Sequence, residues 1–432
     1  MTLAEKQMAF PFIEGDISQK KDNTSTFSDN LSLPVHRWFR YSAGFSALWV
    51  RELIQKEKKE GRKTLFDPFA GSGTVVLEGE FEGLRAIGVE AHPFVARIAK
   101  AKLGWRETPS AFETYANSVL ETARSLTGTT DEYPKLVEKC FPPETLMDLD
   151  ALRKAWEMKA DRSSVSELTW LALVSILREC SPVGTAQWQY VLPKKSKAKP
   201  SQPFRSFQNK IGLMTDDMRK QHRQSKGPKG QIVQEDARNC PTVPSKFADV
   251  VVTSPPYINN YDYADATRLE MSFLGQVRGW GDLQETVRKY LVHSCTQTVG
   301  ASNGETETLL KDPILKSIQP EILPVWEKLG SEKENHGGKK PYHAMVAAYF
   351  HDMARVFVEL RRIATNGALV CFVVGDSAPY GIYVPVDRWL GELAVSAGFK
   401  SYTFEKTRDR NVKWKNRKHR VPLHEGRLWI KG

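Results

Sequence analysis

The sequence predicts an α/β protein whose core is a mostly parallel, doubly wound sheet carrying two large insertions. Three observations predict it. Residues 64–103 read as strand, glycine turn, helix, strand and helix, the repeating unit of a parallel sheet. Apolar strand text returns at QIVQED (231–236), ADVVVTSPPY (248–257) and ALVCFVV (368–374). Between these runs, residues 105–230 and 263–340 differ in composition and read as insertions. Ligands of such a sheet bind outside the carboxyl ends of its strands, so the chemistry is expected there.

Taken in order, residues 1–33 are polar and irregular and are expected to form a flexible N-terminal arm. From 34 the text turns apolar. Phe45, Leu48, Trp49, Leu53 and Ile54 recur at helical spacing before a basic run and Gly61. A strand at 64–67 leads to a helix at about 73–82, a strand at 85–90 and a helix at about 92–103. Residues 105–185 read as mainly helical, and SVSELTWLALVSILREC is apolar on most faces, which implies burial. Residues 193–230, rich in Pro, Lys, Ser and Gln, read as a mobile basic loop. Beyond the strands at 231–236 and 248–257, irregular text runs to 340. A long helix at about 342–365 follows, with Asn366-Gly367 as its cap. A strand at 368–374, a helix at about 384–397 and strands near 399–405 and 426–431 complete the chain.

With 432 residues, 41% of them hydrophobic and 26% charged, the chain can bury a large core. No apolar run approaches the roughly 20 residues that span a bilayer. The first residues lack the basic head and apolar stretch of a secretory signal, so a cytoplasmic protein with no membrane partner is expected. The five cysteines form no Cys-x-x-Cys pair and the histidines are scattered, so neither a disulfide framework nor a metal site is expected. The net charge of +11 is concentrated in two places. Segment 193–230 carries eleven Lys/Arg against Asp216 and Asp217, and segment 406–420 carries eight against Asp409. Such stretches suit a polyanion partner, although a charge run by itself also describes a solvated loop.

The string DPFAGSGT occupies 67–74. Gly71 and Gly73 let the backbone turn tightly and approach a ligand, because no Cβ intrudes. A P-loop would need Gly-Lys-Ser/Thr, and a dinucleotide fingerprint would need a third glycine where Val76 stands. Asp67 would repel a pyrophosphate but welcome an ammonium group. Glu90, about 20 residues beyond the glycines, can accept hydrogen bonds from both hydroxyls of a ribose. Alone, Asp67 is a turn former and Glu90 a helix cap. Together, with a further acid at Asp236, they point to an adenosine ligand with a cationic tail, which describes S-adenosylmethionine.

The string TSPPY occupies 253–257, directly after the apolar strand Val250–Val252. Pro255 and Pro256 remove two backbone donors and fix φ, and they force Ser254 toward an extended conformation. The turn therefore offers a hydroxyl and carbonyl oxygens to an NH₂ group. Tyr257 can stack on a flat heterocycle. These features suit an exocyclic amine on a nucleobase, positioned for methylation without a covalent intermediate.

DPFAGSGT resembles motif I, and TSPPY motif IV, of the amino-methylating DNA methyltransferases. The serine form of motif IV resembles the cytosine-N4 branch. HRWFRYSAGFSALWVRELI (36–54) looks like the family's motif X, a helix that contacts the methionine part of the cofactor, which brings in Tyr41 and Phe45. IVQEDAR (232–238) looks like the third-strand motif, in which Asp236 would face the adenine amine, with Ala237 beside it. GALVCFVVGDS (367–377) resembles the fifth-strand motif. The resemblance covers about half the chain. It implies a Rossmann-like class I methyltransferase fold. It implies S-adenosylmethionine as cofactor, held by Asp67, Pro68, Phe69, Gly71, Gly73, Thr74 and Glu90. It implies catalysis at Ser254, Pro255, Pro256 and Tyr257. Residues 34–104 would be the cofactor half, 231–262 the catalytic strands and 341–432 the rest of the core.

Target recognition then falls to the insertions or the C-terminal stretch. Lys194, Lys195, Lys197, Lys199 and Arg205, and Lys413, Lys415 and Arg417 around Trp414, are the candidate phosphate contacts. A target base in a duplex must be flipped out. The expected reaction is methylation of cytosine N4 in DNA, within a restriction–modification system if a cognate endonuclease exists. Adenine-N6 methylation of DNA, guanine-N2 methylation of RNA and a nucleic-acid-binding protein with an inactive core are the alternatives. Cytosine-C5 chemistry is rejected because no cysteine follows a proline, and zinc deamination because its Pro-Cys-x-x-Cys signature is absent.

Overall fold

The computed structural model describes residues 27–41, 44–185, 191–196, 199–223, 227–299, 303–410 and 421–432. Its centre is a seven-stranded sheet. The strands, in chain order, are β1 (Thr64–Asp67), β2 (Arg85–Val89), then β3 (Val183–Thr185) and β4 (Val191–Ser196) in a separate hairpin, β5 (Gln231–Val233), β6 (Ala248–Thr253), β7 (Ala364–Gly375), β8 (Ser401–Arg410) and β9 (Leu423–Lys431). The sheet order is β5-β2-β1-β6-β7-β9-β8. Pairing is parallel from β5 to β7 and antiparallel at β7–β9 and β9–β8. This is the doubly wound, mostly parallel α/β architecture expected.

Strand alternation explains why both faces are covered. Leu65, Val250 and Val252 enter one hydrophobic core, while Phe66 and Val251 enter the other. The first core is built with the helices Ala47–Lys59, Thr74–Glu82, Pro93–Lys102, Pro109–Ser125, Pro143–Lys159 and Ser164–Cys180. The second is built mainly with Gln319–Asn335, Tyr342–Ile363 and Val386–Ser396. Ser46 starts the first of these helices by accepting a hydrogen bond from the Trp49 amide at 3.3 Å. Among the described residues, no helix is long and apolar enough to cross a membrane.

Four local expectations fail. The stretch to 340, expected to be irregular, is largely helical, with Tyr263–Ala266, Arg268–Phe273, Asn303–Leu310 and Gln319–Asn335 among its helices. The basic stretch 193–230 is not a loop: it holds the end of β4 and the 20-residue helix Pro203–His222. That helix buries Phe207, Ile211, Met214 and Met218 against the first core, and its Asp217 is fully buried. Asp217 accepts hydrogen bonds from Arg37 Nε (2.9 Å), Arg37 Nη2 (2.6 Å) and Trp38 Nε1 (3.0 Å). The last residues of the expected N-terminal arm are packed rather than loose. Phe27–Leu31 form a 3₁₀ turn whose buried Asn30 donates to the Phe45 carbonyl (3.0 Å) and accepts from the Ala47 amide (2.9 Å). Residues 1–26 lie outside the described residues. Finally, Asn366-Gly367 does not cap the 342–363 helix, which ends at Ile363 and runs directly into β7. Gly367, at φ 79°, lies instead where the β6–β7 register jumps from Ala248↔Ala364 to Val250↔Leu369. The glycine serves a strand irregularity, not a helix end.

Candidate active site

The chain winds outward from β1 to β2 and β5, then returns to lay β6 against the other side of β1. The winding direction therefore reverses between β1 and β6, which opens a crevice at their carboxyl ends. The glycine turn leaves β1 there, and the Pro-Pro turn leaves β6 beside it. Their strands are in register at Leu65↔Val250 and Phe66↔Val251. Thr253 Oγ1 donates to Asp67 Oδ1 at 2.6 Å, so the two turns are joined at their roots.

On the glycine side, Asp67 is buried and its Oδ1 also accepts the Phe69 amide at 3.0 Å. Its Oδ2 is buried with no partner among the described residues. Burial raises the Asp67 carboxyl to about 7. Glu90 follows the last residue of β2. Its Oε2 accepts the Gly71 amide and its Oε1 the His92 amide, both at 2.8 Å. Burial raises Glu90 to about 7 as well. Gly71 adopts φ +53°, and a Cβ there would lie 3.1 Å from Tyr41 Cε1. The glycine is required both by its conformation and by the tyrosine laid over it. Gly73 and Thr74 do another job: Gly73 (φ +88°) packs on Ala99 and Thr74 opens the helix Thr74–Glu82.

On the Pro-Pro side, Ser254 Oγ donates to the Val373 carbonyl of β7 at 3.2 Å. The proton is thus turned inward, and the oxygen lone pairs remain to accept hydrogen bonds. Ser377 Oγ donates to the Ile258 carbonyl at 2.6 Å, so β7 and the turn after it grip the far end of the loop too. Arg410 lies over the Tyr257 ring, 5.4 Å from its centre. That contact covers one ring face with a cation.

One cavity joins the two sides. Tyr41, Pro68, Phe69, Gly71 and Glu90 line it from the glycine side, Asp236 and Ala237 from beyond β5, and Ser254 and Pro256 from the Pro-Pro side. Phe45, Asp67, Gly73, Thr74, Pro255 and Tyr257 do not line it. Of these, Phe45 is a core residue against Trp49, Pro255 is buried, and Asp67 supports the floor. Asp236 lines the wall, but its oxygens accept from Arg238 Nε (2.9 Å) and Nη2 (2.6 Å) rather than standing free for an adenine amine.

The cavity also contains residues the sequence reading missed: Ala91, His92, Tyr263, Tyr290, Leu291 and Val292. Ala91 and His92 directly follow Glu90, so adjacency could have flagged them. His92 is held neutral by burial, which lowers it to about 3, and its Nε2 shares a 2.8 Å hydrogen bond with Thr267 Oγ1. The last four come from the second insertion, where no motif marks them. Of the proposed phosphate contacts, Lys199 and Arg205 are exposed, Arg205 in the first turn of its helix. Lys194 and Lys195 fall on β4. Lys197, Lys413, Lys415 and Arg417 lie outside the described residues. Among the described residues, no group of three His, Cys, Asp or Glu is placed to hold a metal ion.

Glu90 and Ser254 thus face one cavity, and the unpartnered Asp67 oxygen is buried beneath its floor. No family model matches the chain. A solved structure, the rRNA methyltransferase aviRa from Streptomyces viridochromogenes, covers 94% of this chain and 92% of its own at 11% identity, with a TM-score of 0.32. The Type II methyltransferase M.BsoBI of Geobacillus stearothermophilus is 25% identical over 456 residues, covering 94% of this chain and 87% of its own. The Type II methyltransferase M.AvaI of Nostoc sp. (strain PCC 7120) is 25% identical over 404 residues, covering 87% of this chain and 81% of its own. The chain is thus similar, along nearly its whole length, to two curated enzymes that are both called type II methyltransferases.

Proposed function

We propose that this protein is a DNA methyltransferase that moves a methyl group from S-adenosylmethionine to the N4 amine of a flipped cytosine. One observation carries the reading: Ser254 and Pro256 line the same cavity as Tyr41, Gly71 and Glu90, so donor and acceptor meet in one space. The residues present fit the cofactor. The orphaned Asp67 oxygen puts an unpartnered carboxyl under the floor on the side where the cationic tail would lie, and Glu90, on the wall, keeps lone pairs for the ribose hydroxyls after accepting two backbone amides. When bound, S-adenosylmethionine supplies an electrophilic methyl on a sulfonium.

The protein's part is positioning. The Ser254 oxygen accepts an amine hydrogen, which localises the nitrogen lone pair and aims it at the methyl. The Ser254 hydroxyl is held in the accepting orientation by the Val373 carbonyl. With the cofactor held there, the N–CH₃ bond would form as the S–C bond broke, and the amine proton set free would pass to water. The serine form of the turn and the resemblance to the cytosine-N4 branch support cytosine as target. Exposed Lys199 and Arg205 are the proposed phosphate contacts. The reading of DNA as substrate rests on those basic stretches and on the relatives.

The test is label transfer from methyl-tritiated cofactor to DNA, followed by nucleoside separation. Label in N4-methylcytosine is expected. Label in N6-methyladenine would overturn the choice of base, and label passing to RNA but not DNA would overturn the substrate.

A further inference from the structure

The second insertion has no role in the reading above, yet besides Tyr263 at its start one short run of it lines the cavity: Tyr290, Leu291 and Val292. We infer that this segment is the wall over the adenine end of the cofactor pocket, and that His293 is the positioning residue that fastens it. The inference rests on the S-adenosylmethionine reading and deepens it.

The orientation follows from the sheet. Asp67 ends β1, Glu90 follows β2, and Asp236 lies beyond β5, in that spatial order. An ammonium at Asp67 and a ribose at Glu90 leave the base on the β5 side. The segment is tied to that side by a chain of charged groups. Asp236 binds Arg238; Arg238 Nη1 donates to Asp352 Oδ1 at 2.9 Å, and Asp352 Oδ2 accepts from the His293 amide at 3.1 Å. His293 Nδ1 shares a further 2.6 Å hydrogen bond with the same oxygen. Arg238 Nη2 also reaches the Tyr290 carbonyl at 3.4 Å.

The other end is tied to the Pro-Pro loop. The Asn260 amide donates to the Ser294 carbonyl at 3.2 Å, and Asn260 Oδ1 accepts the Thr296 amide and hydroxyl, both at 2.8 Å. Asn260 adopts φ +64°, a conformation asparagine tolerates better than most residues. Val292 is buried and Leu291 half-buried, so an apolar ledge faces the slot that a flat heterocycle needs. Asp236, expected to read the adenine amine, is committed to Arg238 and so serves the ledge. The specificity for the base end then lies in shape and apolar contact.

The experiment is calorimetric titration of the full chain and of Leu291→Ala, His293→Ala and His293→Asn with S-adenosylmethionine and with 5′-methylthioadenosine. The second ligand keeps adenine and ribose but lacks the amino-acid tail. Leu291→Ala is expected to raise Kd about tenfold for both ligands. His293→Ala should do the same, with the loss in the cofactor KM rather than in kcat. His293→Asn should recover most of it, because an amide N–H can still donate to Asp352. Unchanged Kd values in folded variants overturn the inference. So does a rise in the KM for DNA with cofactor Kd unchanged, which would put the segment over the target base. Should His293→Ala fail to melt cooperatively, Leu291→Ala alone decides. A wild-type protein that binds neither ligand overturns the cofactor reading itself, which is a separate outcome.

Discussion

The glycine turn after β1 and the Pro-Pro turn after β6 leave neighbouring strands at the same level, yet they solve opposite problems. The first is a permissive backbone over two buried carboxyls, one of which keeps an oxygen unpaired. The second is a stiff backbone whose hydroxyl is already committed as a donor, to β7. The difference teaches that binding and chemistry are divided between them. An unsatisfied buried charge is useful only if a ligand completes it, whereas a locked acceptor is useful only if it does not have to move.

The sharpest way to break this division is Ser254→Ala. It should lower kcat by about a hundredfold to a thousandfold while cofactor Kd stays within a factor of about two. Loss within about tenfold in single-turnover assays would mean that the serine does not aim the amine. Asp67→Ala should do the reverse and raise cofactor Kd by about tenfold to a hundredfold, the worth of one hydrogen bond to a charged group. An unchanged value in equilibrium dialysis would place the ammonium elsewhere.

A pH series sharpens the same contrast. The ammonium needs Asp67 ionised, and burial holds both Asp67 and Glu90 at about 7. Cofactor affinity should therefore fall as pH drops from 8 to 6, by up to about tenfold per unit below that value. For folding the sign is opposite. Both carboxyls lie above their unfolded values of about 4, so the empty protein holds extra protons between roughly pH 4 and 7. The melting temperature of the empty protein should fall as pH rises through that window, and cofactor should offset the fall. The smallest effect belongs to Thr253→Val, which removes the hydrogen bond joining the turns. Losing that donor pushes Asp67 further up, so the pH midpoint of binding should move upward by less than about one unit.

The sheet and the two turns were legible because short continuous apolar runs and turn residues are local signals. Asp67, Gly71 and Glu90 follow from spacing alone. The helix Pro203–His222 was misread because its charge was counted before its period. Phe204, Phe207, Ile211, Met214 and Met218 recur at three- and four-residue intervals behind Pro203, a helix signature hidden among lysines. Leu291 and Val292 could not be found in this way. They reach the cavity through ion pairs among Asp236, Arg238, Asp352 and His293, partners far apart in sequence. Phe45 was over-read, since a helix-facing aromatic is as often a core residue as a ligand contact.

Asp217 adds a mechanical point. It contributes no atom to the cavity, yet it clamps Arg37 and Trp38, three residues upstream of the tyrosine that overlies Gly71. The outer doorpost of the pocket hangs from a helix whose opposite end, about 18 Å away at 1.5 Å per residue, presents Arg205 to solvent. The first insertion lines none of the cavity between the two turns, yet through Asp217 it anchors the stretch of chain that brings Tyr41 over Gly71.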